Sequence, residues 1–136
     1  MKAIIFDSST LISMSMNGLF NEIQKLKENF DGKFIITKEE KHEIIDKPLT
    51  IKRFELEALR LKQLLEEGVL EMPKSLGIDE SVISAKTKEL MDIANATFQE
   101  KNKDIHLIDL GEASCLALSK ILSEKNFIKL TRLKFN

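Results

Sequence analysis

Ala3-Ile4-Ile5-Phe6-Asp7-Ser8-Ser9, residues 3–9, is the stretch on which the reading of the fold turns. Four apolar residues closed by an acid have the length of a buried strand. An acid directly after such a strand projects at the strand's carboxyl edge, where ligands of open parallel sheets gather. The local alternative for Asp7 is an Asx turn or a helix cap.

Outward from this stretch the pattern turns helical. Leu19, Phe20, Ile23, Leu26 and Phe30 recur at helix spacing, with Gly32 as the stop. A second strand is expected at Phe34-Ile35-Ile36. Thr37 then stands as an N-cap with Glu40 three residues on, a capping box, and the helix it opens is expected to end near Pro48. A long helix is read between Thr50 and Gly68, and Val69-Leu70-Glu71-Met72 before Pro73 suits a third strand. Helices follow from about Asp79 to Lys101 and from Asp109 to Ser123, with a last, weak strand over Phe127 to Phe135. Strands separated by helices predict a parallel sheet covered on its faces, in a single domain over residues 1–136.

Composition bounds the function classes. At 136 residues, 43% hydrophobic and 32% charged, the chain can bury a core without disulfides or structural metal. Its one cysteine, Cys115, excludes an internal disulfide and a cysteine-based zinc site, which fits a reducing compartment. The first residues are too short an apolar run for a signal peptide, and no run is long enough for a membrane helix, so a cytoplasmic location is expected. A net charge of −1 offers nucleic acid no general attraction, so RNA binding has to be local. The stretch 117–136 carries Lys120, Lys125, Lys129, Arg132 and Lys134 against the single acid Glu124, a candidate RNA-binding patch or a solvated face. His42 and His106 stand beside no nucleophile, and the five glycines are too scattered for a phosphate loop.

Carboxylates carry the remaining chemistry. Asp7 closes the first strand, Glu43 lies six residues after Thr37, and Glu112 opens a helix in Gly111-Glu112-Ala113. Taken singly, Glu43 is a solvated glutamate and Glu112 the capping partner of Asp109. Together and in this order, Asp7 with Ser9, Thr37 with Glu43, and Gly111-Glu112-Ala113 resemble the PIN-domain family over roughly residues 1–125.

The resemblance implies an α/β, PIN-like three-layer sandwich with a mostly parallel sheet flanked by helices. It also implies a metal-dependent endoribonuclease that hydrolyses RNA phosphodiester bonds with carboxylate-bound Mg²⁺ or Mn²⁺. On that reading Asp7, Glu43 and Glu112 are the catalytic and metal-binding acids and share one cleft. Ser9 and Thr37 support them from behind, and a protein inhibitor, antitoxin-like, or a homodimer is an expected association. Clustered acids suit a hard cation, which takes oxygen ligands and neutralises their repulsion.

Two positions depart from the family pattern. Glu40 stands where valine-like packing is usual. Arg132 stands where a further acid follows the last strand, and no acid comes after Glu124. The domain is therefore expected to be C-terminally shortened or degenerate and weak as a nuclease. The alternative is a catalytically degenerate RNA-binding or protein-interaction module. An unrelated α/β protein would be indicated by the three acids lying far apart.

Overall fold

The computed structural model describes residues 2–99, 109–125 and 130–133. The expected helix end at Lys101, together with His106, Lys129 and the start of the last strand, lies outside them.

Strand β1, Ala3–Phe6, is the middle strand, and its apolar residues alternate between two cores. Ala3 and Ile5 join Ile35, Ile83 and Leu118 on one face. Phe6 joins Leu11, Ile23, Phe34 and Leu61 on the other. Period-two alternation in a strand with apolar residues on both faces requires cover on both sides, and helices supply it. Phe6 meets Phe34 edge to face, with ring centres 4.9 Å apart. Ile5 is 1% exposed, and burial of such a side chain stabilises by about 1.5–3 kcal/mol.

Strand β2, Lys33–Ile35, runs parallel to β1, pairing Ala3 with Lys33 and Ile5 with Ile35. Strand β3, Leu130–Leu133, runs parallel on the other side and sets the Arg132 backbone opposite Ile5. The expected third strand contracts to one parallel bridge, Ile35 with Glu71. Pro73 has no N–H for a ladder, and a 3₁₀ turn, Pro73–Leu76, begins there.

Helix dominates. Directly after Asp7 comes α1, Ser8–Met16, for which the sequence offered only the cap alternative at Asp7. Then follow α2, Phe20–Glu28, and α3, Lys38–Lys41, which passes through a π-helical turn, His42–Asp46, into α4, Lys47–Leu49. The long helix expected from Thr50 is shorter, α5, Glu55–Glu66, behind a 3₁₀ turn, Lys52–Phe54. Gly68 (φ +76°) closes it as anticipated, with the Gly68 amide on the Leu65 carbonyl and the Val69 amide on the Leu64 carbonyl. Helices α6, Glu80–Gln99, and α7, Leu110–Glu124, pack together.

The three-layer sandwich with a mostly parallel sheet is thus overturned: the chain is mostly helical, and its sheet is a minor element. The strands are only three and four residues long, so most of the core on either face of β1 is contributed by helices. No helix among the described residues is long and apolar enough to cross a membrane.

Candidate functional site

At the carboxyl end of β1 the chain turns at Asp7 (φ −77°, ψ 143°) into α1. The carboxylate makes no capping bond. It is 3% exposed, and its Oδ2 accepts the Ser9 hydroxyl at 2.9 Å. Ser9 is thus hydrogen-bonded to the Asp7 carboxylate.

Thr37 closes β2 and forms the expected capping box with Glu40. Its Oγ1 accepts the Glu40 amide at 3.2 Å and lies 2.7 Å from the Ser114 hydroxyl, which donates to the Gly111 carbonyl at 2.7 Å. Either hydroxyl can donate in the Thr37–Ser114 pair, and the Thr37 hydroxyl is also within 3.4 Å of Glu40 Oε1 as a donor. The start of α3 is thereby tied to the first turn of α7.

Glu40 is the feature that the capping-box reading concealed. It is fully buried, and its Oε2 has no hydrogen-bond partner. Burial pushes its pKa up to about 8. The Cys115 thiol and the Thr37 and Ser8 backbone hydrogen bonds act in the opposite sense, while the negative charge of Asp7 adds to the rise. One signal in the sequence marked the position, namely an acid where valine-like packing was expected.

Glu43 sits on the π turn, where the Lys47 amide reaches back to the His42 carbonyl. Pro48 follows without an N–H and would crowd an ordinary α turn, which accounts for the widening. Across from it, α7 begins at Asp109, whose Oδ1 accepts the Glu112 amide at 2.7 Å. Gly111 lets the two walls approach. A Cβ there would lie 2.9 Å from Glu43 Oε2, 3.4 Å from Asp109 Oδ1 and 3.9 Å from Glu40 Cγ. Glu43, Asp109 and Glu40 are thus gathered around one bare backbone position.

A cleft of about 730 Å³ opens here, lined among others by Lys38, Glu39, Lys41, Glu43, Asp109 and Gly111. No family model matches the chain, and neither a curated protein nor a solved structure matches it.

Of the three predicted acids, Glu43 lines the cleft, Asp7 is buried within the field of Glu40, and Glu112 is half-buried on the first turn of α7, outside the cleft lining. Among the described residues no group of three His, Cys, Asp or Glu side chains stands close enough to hold a metal ion. The donors nonetheless fit Mg²⁺ or Mn²⁺ in kind: they are carboxylate oxygens, one of them buried and partnerless. Lys120 and Lys125, candidates for RNA, are exposed on and just after α7, and Arg132 is described in its backbone alone. The cations at the cleft are instead Lys38, Lys41 and Lys47, of which Lys41 also pairs with Asp46 at 2.9 Å. Their positions in the helix opened by Thr37 were legible, but not that this face borders the acids.

Proposed function

We propose that the chain is a metal-dependent endoribonuclease of the PIN type acting on RNA phosphodiester bonds in the cytoplasm, with Asp7, Glu43 and Glu112 as its acids and Glu40 joining them. The observation that supports this reading is the buried, partnerless Glu40 carboxyl oxygen in the field of Asp7. Such an arrangement lowers stability, and strongly perturbed acids concentrate at functional sites. When bound, Mg²⁺ or Mn²⁺ supplies positive charge against the phosphodiester oxygens. Ser9 holds Asp7 in one orientation and the Thr37–Ser114–Gly111 chain ties α3 to α7, while the acids have to draw closer together to share an ion. Lys38, Lys41 and Lys47 offer a phosphate track beside them.

The test is purified protein with single-stranded RNA and Mn²⁺, alongside Asp7→Asn. The expected outcome is Mn²⁺-dependent cleavage and a rise in Tm with Mn²⁺, both lost in the variant, which stays folded. Equal cleavage by the two proteins would sink the reading.

One observation favours the second reading, a module that binds RNA or protein without catalysis. With a pKa near 8, Glu40 is mostly uncharged at neutral pH, so the cluster attracts a cation less strongly. RNA binding without Mn²⁺-dependent cleavage would select it.

A further inference from the structure

Four carboxylates line the acidic cleft: Glu39, Glu43, Asp46 and Asp109. Asp46 is paired with Lys41 at 2.9 Å. Glu39 is half-buried, has one oxygen closed to solvent and lies in the field of Glu80 at the start of α6. Glu43 and Asp109 remain. Both are exposed, and among the described residues neither has a cation within ion-pair distance, although Lys38, Lys41 and Lys47 line the same cleft. Across Gly111, Glu43 Oε2 and Asp109 Oδ1 stand 2.9 and 3.4 Å from the one point that a Cβ would fill. The fully buried Glu40, whose Oε2 has no partner, brings its Cγ to 3.9 Å from the same point. Two carboxylates gathered about one bare position repel each other unless a cation lies between them.

We propose that Asp109 is a further ligand of the divalent ion, meeting it together with Glu43 across Gly111. A hard cation such as Mg²⁺ keeps several of its waters and is commonly held by one or two carboxylates, with substrate phosphate oxygens taking other positions. A pair is therefore enough, and no closely set trio is required of the described residues. The cap at the start of α7 is compatible with this second task. Asp109 Oδ1 accepts the Glu112 amide at 2.7 Å, and among the described residues Oδ2 has no partner. Capping thus fixes the carboxylate in place and leaves its second oxygen for a cation. The assignment deepens the ribonuclease reading and rests on it for the ion, while ion binding is measurable without cleavage.

The experiment titrates the RNA-free protein with Mn²⁺ by calorimetry, beside Asp109→Asn and Asp79→Asn. Asparagine caps a helix about as well as aspartate, so Asp109→Asn keeps the start of α7 and removes the charge alone. Asp79, whose Oδ1 accepts the Ser81 amide at 3.0 Å at the start of α6, is the matching acid outside the cleft lining. Mn²⁺ affinity should fall about tenfold or more in Asp109→Asn and stay within about twofold in Asp79→Asn. In the wild type, bound Mn²⁺ should broaden the amide NMR signals of Gly111 and Glu112 before those of Ser81 and Val82, which locates the ion independently of either variant. Unchanged affinity in Asp109→Asn, an equal loss in both variants, broadening that spares Gly111, or no Mn²⁺ binding at all overturns the proposal. Mn²⁺ binding that depends on Asp109 in a protein that leaves RNA uncut keeps this ligand and removes the nuclease. Mn²⁺-dependent cleavage that needs Asp7 but not Asp109 does the reverse.

Discussion

Glu40 sets the behaviour of the site at the scale of single residues. Unfolded, its carboxyl titrates near the ordinary 4.5, and folded near 8. Below the lower value both states hold the proton. Between the two the unfolded chain releases it and the folded chain does not, so stability falls as pH rises through this window and levels off above it. The shift corresponds to on the order of 5 kcal/mol over the whole window. Glu40→Gln keeps the shape without the charge, so its Tm should fall less than the wild type's between pH 5 and 9, as thermal melts across that range would show. A parallel fall in both proteins would remove Glu40 as the cause. Gly111→Ala probes the opposite wall. The added methyl meets the end of the Glu43 side chain at 2.9 Å, a flexible group that can swing away. Stability should therefore change by less than about 1 kcal/mol, while Mn²⁺ affinity measured by calorimetry should drop several-fold. A much larger loss of stability, or an unchanged Mn²⁺ affinity in the folded variant, would contradict this account.

Among the elements, the helix opened by Thr37 gathers most of the chemistry. Its capping box buries Glu40, its π turn carries Glu43, and its exposed residues bring Lys38, Lys41 and Lys47 to the cleft. The double replacement of Lys41 and Lys47 by Ala should weaken RNA binding and flatten its salt dependence by about one to two phosphate contacts. The comparison is a Lys120, Lys125 double replacement on α7, and fluorescence anisotropy at several salt concentrations measures both. A flatter slope in the α7 pair alone would move the phosphate track there. The sequence of this helix announced its start through Thr37 and Glu40, and its end near Pro48. The π turn between them was not legible, because it arises from how the backbone accommodates Pro48 while Ile44 and Ile45 remain buried.

Over the whole molecule, two apolar clusters lie on the two faces of β1, and the site stands where that strand ends. Ile5→Ala removes a side chain from the middle strand and should cost about 2–5 kcal/mol, read as a lower denaturation midpoint in urea with little change in slope. A cost under about 1 kcal/mol would mean that the helices hold together without the sheet. That outcome bears on the fold, since helix outweighs strand here and the expected sandwich is absent.

The sequence by itself determined the local features whose causes are local: the first strand and its closing Asp7, the capping box at Thr37, the stop at Gly68, and the start of α7 at Asp109. Each depends on residues within a few positions of one another, so periodicity and cap chemistry suffice. Tertiary structure alone decided the rest. It reduced Val69–Met72 from a strand to a bridge, because pairing depends on the length of the neighbouring strand and is cut short by the 3₁₀ turn that opens at Pro73. It made Glu40 a buried acid beside Asp7, and it brought Gly111 against Glu43 although the two are far apart in the chain. Burial and charge proximity are properties of packing across the chain, and the same glutamate that caps a helix in sequence becomes a perturbed acid only when α7 closes over it.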